Sequence, residues 1–285
     1  DIKVTPYLVD DSMYEGYLLL IEGDGKRVIY TGDFRANGRK KFEEMIQGLP
    51  LEVDVLICEE GIIGDEDINS VTERDLEEQA SALIANKKGP VFILQSVTDF
   101  DRTTTIFRAA KRNKRIFLED LYMSEIAVSA GKAMPNPSGW NGTKAYLTTG
   151  YQPEHFRYQM FRALSRVNKT DIETQKFVMC LRPSMKKYMK TLSQSIRFKD
   201  GVIINAMPSE QMKSEEVETY LAFAVKKGLE LVSLRNSGHA DAKALRVLIE
   251  AVHPKKLLPF SVKNARWFVR EYPKLAVISS NEVEC

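Results

Sequence analysis

Four short segments of the 285-residue chain set acid, base or metal-binding side chains at the ends of apolar runs. They are Val9-Asp10-Asp11-Ser12, Tyr30-Thr31-Gly32-Asp33-Phe34-Arg35, Cys58-Glu59-Glu60-Gly61 and Asn236-Ser237-Gly238-His239-Ala240. Carboxylates offer hard oxygen donors and take up protons, and an imidazole exchanges a proton near neutral pH. In open α/β sheets the side chains just past the carboxyl ends of strands line the ligand crevice, so these carboxylates and one histidine are expected to converge. Each segment alone also has an ordinary structural reading. Asp33 suits a turn after Gly32, Glu59-Glu60 a solvated loop, and His239 the entry to a helix.

Such convergence needs strands, and the sequence supplies them. Apolar runs fall at Val4 to Val9, Tyr17 to Glu22, Arg27 to Thr31, Val53 to Cys58, Val91 to Gln95, Ile116 to Glu119, Phe177 to Leu181, Val202 to Asn205, Leu229 to Leu234, Lys256 to Phe260 and Leu275 to Ile278. Amphipathic stretches lie between many of them, near Asp75 to Lys87, Arg102 to Lys111, Glu154 to Arg166, Ser184 to Leu192, Glu210 to Lys226 and Ala242 to Val252. Alternation of this kind predicts an α/β class, with helices crossing over between strands buried on both faces. Gly23-Asp24-Gly25 reads as a hairpin turn, and Gly131 to Gly150, with Pro135 and Pro137, as a long irregular connection. The first strand begins so close to Asp1 that the chain reads as starting inside a domain.

Composition narrows the function classes. Hydrophobic residues at 44% and charged residues at 28% fit a globular protein and exclude a disordered chain or a rod. A net charge of +2, from 41 Lys and Arg against 39 Asp and Glu, is no blanket of positive charge, so nucleic-acid binding requires a local groove. No stretch approaches the ~18 uninterrupted apolar residues of a membrane span, and the start is no signal peptide. The expected location is therefore cytoplasmic, with no membrane partner. Cys58, Cys180 and Cys285 are far apart and form no CxxC zinc motif.

In order and spacing, these segments resemble the metallo-β-lactamase fold in its β-CASP branch, ribonuclease J-like members above all. The likeness is carried by Thr5-Pro6-Tyr7-Leu8-Val9-Asp10-Asp11-Ser12, Leu20 to Arg27, Tyr30 to Arg35, Gly38-Arg39-Lys40, Cys58-Glu59, Ser237-Gly238-His239-Ala240 and Pro254 to Ser261. It implies the C-terminal portion of a metallo-β-lactamase core interrupted by a doubly wound β-CASP domain. The expected division is 1–70 and 229–285 for the core and 71–228 for the insertion. Asp33 then matches the aspartate that bridges two metal ions, zinc or manganese, whose shared water loses a proton. Glu59 matches the acidic residue that orients a histidine, and His239 the histidine that protonates the leaving group.

The departures bear on function as much as the matches. The family's HxHxDH signature lies upstream of the Thr5 to Ser12 strand in relatives, and no segment of this chain matches it. Asp11 and Ser261 stand where two further histidine ligands are expected; Asp11 can bind a hard cation through oxygen, whereas serine is a poor zinc ligand. His155 and His253 read as surface or capping residues. The likeness also implies a channel for single-stranded RNA, with phosphate contacts from Lys111-Arg112-Asn113-Lys114-Arg115 or from Arg182-Pro183-Ser184-Met185-Lys186-Lys187. In the second segment, Ser184 at a helix N-terminus beside Arg182, followed by Lys186, would make a small anion site. A charge run is nonetheless most often a solvated face, and Gln95-Ser96-Val97-Thr98 reads as either a cleft-facing loop or an ordinary turn.

The expectation is descent from a metal-dependent ribonuclease or phosphodiesterase acting on RNA, with a degenerate metal site. The rival is a non-catalytic RNA-binding or assembly module. A Rossmann-type nucleotide binder fits the alternation but lacks GxGxxG opening a helix after a strand. A homo-oligomer is compatible with all three.

Overall fold

A computed structural model describes residues 1–59, 61, 63, 71–148, 154–207, 209–260 and 265–278, with backbone only at 155, 156, 209 and 210. The chain divides into two compact units, one of Asp1–Thr72 with Asn236–Cys285 and one of Glu73–Arg235.

The first unit is built on a six-stranded sheet in the order β1-β2-β3-β4-β11-β12. Here β1 is Lys3–Leu8, β2 Tyr17–Gly23, β3 Lys26–Tyr30, β4 Val55–Cys58, β11 Lys256–Pro259 and β12 Ala276–Val277. The first three strands are antiparallel, and β3, β4, β11 and β12 run parallel. Asp24 and Gly25, both at positive φ, make the two-residue turn from β2 to β3, as the Gly-Asp-Gly spacing requires. Helices Phe42–Gln47, Ala242–Val252 and Ala265–Glu271 accompany the sheet. Alternate residues Leu18, Leu20, Ile29, Leu56, Cys58 and Leu257 form its core with Phe42, Leu245, Leu248 and Phe268. Helix Ala242–Val252 buries Ala244, Leu245, Leu248, Ile249 and Val252 on one stripe, and Asp241 caps it by accepting the Ala244 N–H at 2.7 Å.

The second unit carries six parallel strands in the order β10-β9-β5-β8-β6-β7. They are β5 Val91–Leu94, β6 Ile116–Asp120, β7 Thr143–Tyr146, β8 Phe177–Leu181, β9 Val202–Asn205 and β10 Glu230–Ser233. Every residue of β5, β8 and β9 is buried, which is why these strands read as unbroken apolar runs rather than as alternations. A separate core forms here around Phe92, Leu118, Met179, Tyr188, Ile203 and Tyr220.

The fold class expected from sequence is therefore present: α/β, with two mostly parallel sheets. Several details differ. The connection 131–150 holds a strand, Thr143–Tyr146, that the pattern hid because it is four residues long, carries Lys144 and follows a Pro- and Gly-rich stretch. Its edge pairing with β6 is tertiary and leaves little local trace. Helices Phe42–Gln47, Leu121–Ser129, Lys169–Thr174 and Ala265–Glu271 were likewise too short or too uniformly apolar to show a period. The stretch Glu210 to Lys226 is two helices, Ser209–Met212 and Glu215–Lys226, because Ser214 starts a new one by accepting the Val217 N–H at 3.3 Å. The strand near Leu229 to Leu234 pairs with β9 in the second unit, so the chain returns to the first unit at Asn236 rather than at 229.

Candidate functional site

The site is set by the adjacent carboxyl ends of β3 and β4 in the first unit. Tyr30 pairs with Ile57, so the loop carrying Asp33 and the residue Glu59 emerge side by side. Buried Thr31 ties the two: its backbone N–H donates to the Ile57 carbonyl at 3.0 Å, its hydroxyl accepts the Glu59 N–H at 3.2 Å and donates to the Gly32 carbonyl at 2.6 Å. The third member comes from the loop before helix Ala242–Val252. There the Ser237 hydroxyl accepts the His239 N–H at 3.0 Å and donates to the His239 carbonyl at 2.9 Å, holding the imidazole at a tight turn.

Glu59 is the centre of the arrangement. Its Oε1 accepts the backbone N–H groups of Phe34 at 2.9 Å and Ala240 at 3.1 Å, and its Oε2 lies 2.9 Å from His239 Nδ1. One carboxylate thus pins the Asp33 loop, the His239 loop and the ring itself. Burial pushes its carboxyl above the usual carboxylate range, while the bonds from His239, Phe34 and Ala240 pull the other way. Asp33 Oδ1 lies 3.9 Å from the same ring nitrogen, and its side chain is well exposed. With Nδ1–H donated to Glu59, the neutral imidazole carries its lone pair on Nε2, the arrangement that suits a side chain passing protons to and from an incoming group.

Asp33, Glu59 and His239 are thus brought together, their ligand-type atoms all within 4.8 Å of one another, the one such group among the described residues. Asp11 is not in it. Its Oδ1 accepts the Met13 N–H at 3.3 Å and the Ser12 hydroxyl at 3.4 Å within its own loop, so the expected role as a substitute metal ligand is not supported. Ser261 lies outside the described residues. His253 ends helix Ala242–Val252 at φ 42, a capping position. Two zinc ions take more donors than this set provides: among the described residues it holds one imidazole and two carboxylates, and both oxygens of Glu59 are already hydrogen-bonded.

Sequence reading passed over Asp10 in favour of its neighbour. Asp10 is buried and accepts the N–H groups of Gly38 at 2.7 Å and Lys40 at 3.3 Å, and it faces the buried Arg35 at 3.9 Å. Arg35 in turn donates to Asn236 Oδ1 at 3.5 Å, at the root of the His239 loop. The available signal was Gly38: a Cβ there would stand 2.2 Å from Asp10 Oδ1, so the small residue is required by this close approach.

The expected RNA contacts belong to the second unit, where the arginines among them hydrogen-bond or pair within the fold. The Arg182 guanidinium pairs with Asp120, donates to Ser184 Oγ at 3.2 Å and lies 4.8 Å from the Tyr122 ring centroid. Ser184 sits in the turn Pro183–Met185, and the N-cap of helix Lys186–Ser195 is Met185, so the expected N-terminal anion site at Ser184 is not formed. Lys186 is exposed. In the other basic run, Arg115 donates to the carbonyls of Gly89 at 3.1 Å and Phe177 at 3.4 Å, and Arg112 pairs with Glu77 at 2.5 Å, which are structural roles. Gln95 is buried and donates to Thr103 Oγ1 at 2.6 Å, fastening strand to helix. A cavity of about 770 Å³ in this unit is lined by Tyr146, Phe161, Leu164, Ile172, Tyr188 and Leu192 among others, and by none of the expected site residues.

No protein-family model and no curated protein matches the chain. Solved structures do. A protein of unknown function from Enterococcus faecalis V583, known from its crystal structure, superposes with a TM-score of 0.71 at 16% identity over 99% of this chain and 63% of that protein. The chain thus spans less than two thirds of that protein's length. The likeness supports the fold alone. Among the described residues, no helix is long and apolar enough to cross a membrane.

Proposed function

We propose that this chain is a hydrolase-like protein of the metallo-β-lactamase fold and β-CASP branch, descended from metal-dependent phosphodiesterases that act on single-stranded RNA. It retains the proton-transferring side of such a site without a complete metal centre. The observation that carries this reading is Glu59, which holds the Nδ1 of His239 at 2.9 Å while gripping the backbone on both sides of the site. A buried carboxylate behind an imidazole fixes its tautomer and steadies the ring when it is protonated, as a group that protonates a leaving oxygen requires. Asp33 lies exposed beside the ring, its Oδ1 3.9 Å from Nδ1. Bound zinc or manganese would supply an activated water in relatives; here the described donors do not hold two ions, and no step is assigned to metal.

The poor metal fit favours a second reading specifically, a non-catalytic RNA-binding or assembly module. One assay separates the two. Fluorescent single-stranded RNA oligonucleotides are incubated with the chain, with and without Mn²⁺ or Zn²⁺, and followed by anisotropy and by gel. The hydrolase reading expects cleavage that falls at least ~100-fold in His239→Ala, the scale of a lost proton donor, with RNA affinity retained. Binding without cleavage supports the second reading, and absence of binding at 50 mM salt contradicts the hydrolase reading and the RNA-binding form of the second.

A further inference from the structure

Arg115, in the second unit, is a buried cation with no counter-ion among the described residues. It is 6% exposed, and its guanidinium donates to three carbonyls, those of Gly89 at 3.1 Å, Phe177 at 3.4 Å and Lys87. A guanidinium carries five N–H groups, so these bonds leave two over. Burial pushes its pKa below the ordinary arginine value, and no acidic neighbour opposes that. Arg102 in the same unit shows the usual arrangement, a buried arginine closed by the Glu73 carboxylate at 2.9 Å. Neutral carbonyls satisfy donors on Arg115 but leave its charge unbalanced.

That charge faces a recess. A cavity of about 350 Å³ is lined by Arg115 together with Lys88, Lys176 and Arg197. Lys88, Arg115 and Lys176 lie just before β5, β6 and β8, whose parallel pairing sets those three turns at one end of the sheet. Arg197 follows helix Lys186–Ser195. Lys88, Lys176 and Arg197 are exposed, and none is in an ion pair among the described residues. The one acid in the lining, Glu173, lies 3.7 Å from Lys169, whereas neighbouring Lys87 is matched by Glu230. Helices Lys169–Thr174 and Lys186–Ser195 end at this recess, and their last carbonyls draw cations to it. Each helix end supplies at most about half a negative charge, too little to balance four full positive ones.

We propose that this recess binds a compact polyphosphate group. One phosphate carries about −2 near neutral pH, so two or three linked phosphates approach the charge of the four cations. The volume is at the lower end of the ~300 to 1,000 Å³ of small-molecule sites, which suits a small polyanion rather than a long strand. Free pyrophosphate or tripolyphosphate and the phosphates of a nucleotide share this chemistry. Arg182 and Ser184 follow the carboxyl end of β8, at the other end of the sheet, so the inference does not depend on the RNA reading.

Calorimetric titration of the whole chain in EDTA and about 150 mM salt tests it. Pyrophosphate and tripolyphosphate are expected to bind saturably, one per chain, and inorganic phosphate at least ~10-fold more weakly. The triple variant Lys88→Gln, Lys176→Gln, Arg197→Gln changes only exposed side chains and keeps the core intact. It is expected to weaken pyrophosphate about 10-fold at unchanged circular dichroism, the summed effect of three partly screened charges. ADP binding tighter than pyrophosphate supports the proposal with a nucleotide as source, and ADP binding no tighter supports it with free polyphosphate. No saturable binding, or binding that the triple variant leaves unchanged, overturns it. So does a single-stranded RNA with a 5′-hydroxyl that displaces tripolyphosphate and binds more tightly than it does, since the recess would then be part of a strand-binding groove.

Discussion

At the scale of single residues, Glu59 has two separable jobs. Its Oε1 satisfies two backbone donors, and its Oε2 sets the ring of His239. Glu59→Ala leaves the Phe34 and Ala240 N–H groups without that acceptor, and a loss of about 1 to 3 kcal/mol is expected, read as a lower urea midpoint at unchanged slope. His239→Ala removes the partner on Oε2 and leaves both backbone donors on Oε1, and its expected cost is smaller. Equal losses in the two variants would show that the backbone grip is not what stabilises the loops. Glu59 and His239 were legible in the sequence as candidates because they follow an apolar run and precede a helix. Thr31 and Asp10 were not, because a buried Thr or Asp that serves backbone N–H groups has the same local signature as any turn residue.

At the scale of elements, polar groups buried in the second unit make the sharpest predictions. Helix Glu73–Ala85 meets helix Phe100–Arg112 through Glu73 and Arg102, both almost fully buried and 2.9 Å apart. Thr105 donates to Glu73 at 2.6 Å, and Arg102 also donates to the Leu234 carbonyl at 2.7 Å, beyond β10. Arg102→Ala leaves a buried carboxylate without its cation, and about 3 to 5 kcal/mol of stability is expected to go; the double variant Glu73→Leu with Arg102→Met is expected to recover most of it. A double variant no more stable than the single one would contradict this.

Glu119 on β6 is the opposite case. It is fully buried with neither oxygen hydrogen-bonded among the described residues, and burial, reinforced by Asp120, pushes its carboxyl well up. A folded-state pKa raised above the unfolded value means stability that is complete below the unfolded carboxyl pKa and declines as pH rises toward the folded one. Glu119→Gln is therefore expected to flatten that decline as pH rises above the ordinary carboxylate range, measured as urea midpoints. Parallel profiles for the two proteins would refute the assignment.

At the scale of the whole molecule, the two units own separate cores and one tryptophan each, Trp267 in the first and Trp140 in the second. Trp267 is buried against Phe268, and Trp140 meets the Phe107 ring edge-on at 5.4 Å. With Trp140→Phe and Trp267→Phe each reporting one unit, fluorescence unfolding curves are expected to differ in midpoint, as independent cores require. Superimposable curves would mean that the units unfold as one. The α/β class and eleven of the described strands were readable from apolar runs, because buried parallel strands announce themselves through composition. The passage of β10 to the second unit was not readable, since pairing partners leave no mark on a strand's own letters. The row of Leu19, Tyr30, Ile57 and Leu258 likewise emerged only once register set these residues in line.

The account rests on a hydrogen-bonded Glu59 and His239 pair, and the three histidines of the chain make it directly observable. In ¹⁵N-histidine spectra near neutral pH, the His239 signal, assigned by its loss in His239→Ala, is expected to show the tautomer with the proton on Nδ1. That preference should be lost in Glu59→Gln, whose amide can donate to the ring instead of accepting from it. A His239 that carries its proton on Nε2 in the unaltered chain, and that does not respond to Glu59→Gln, would contradict the account.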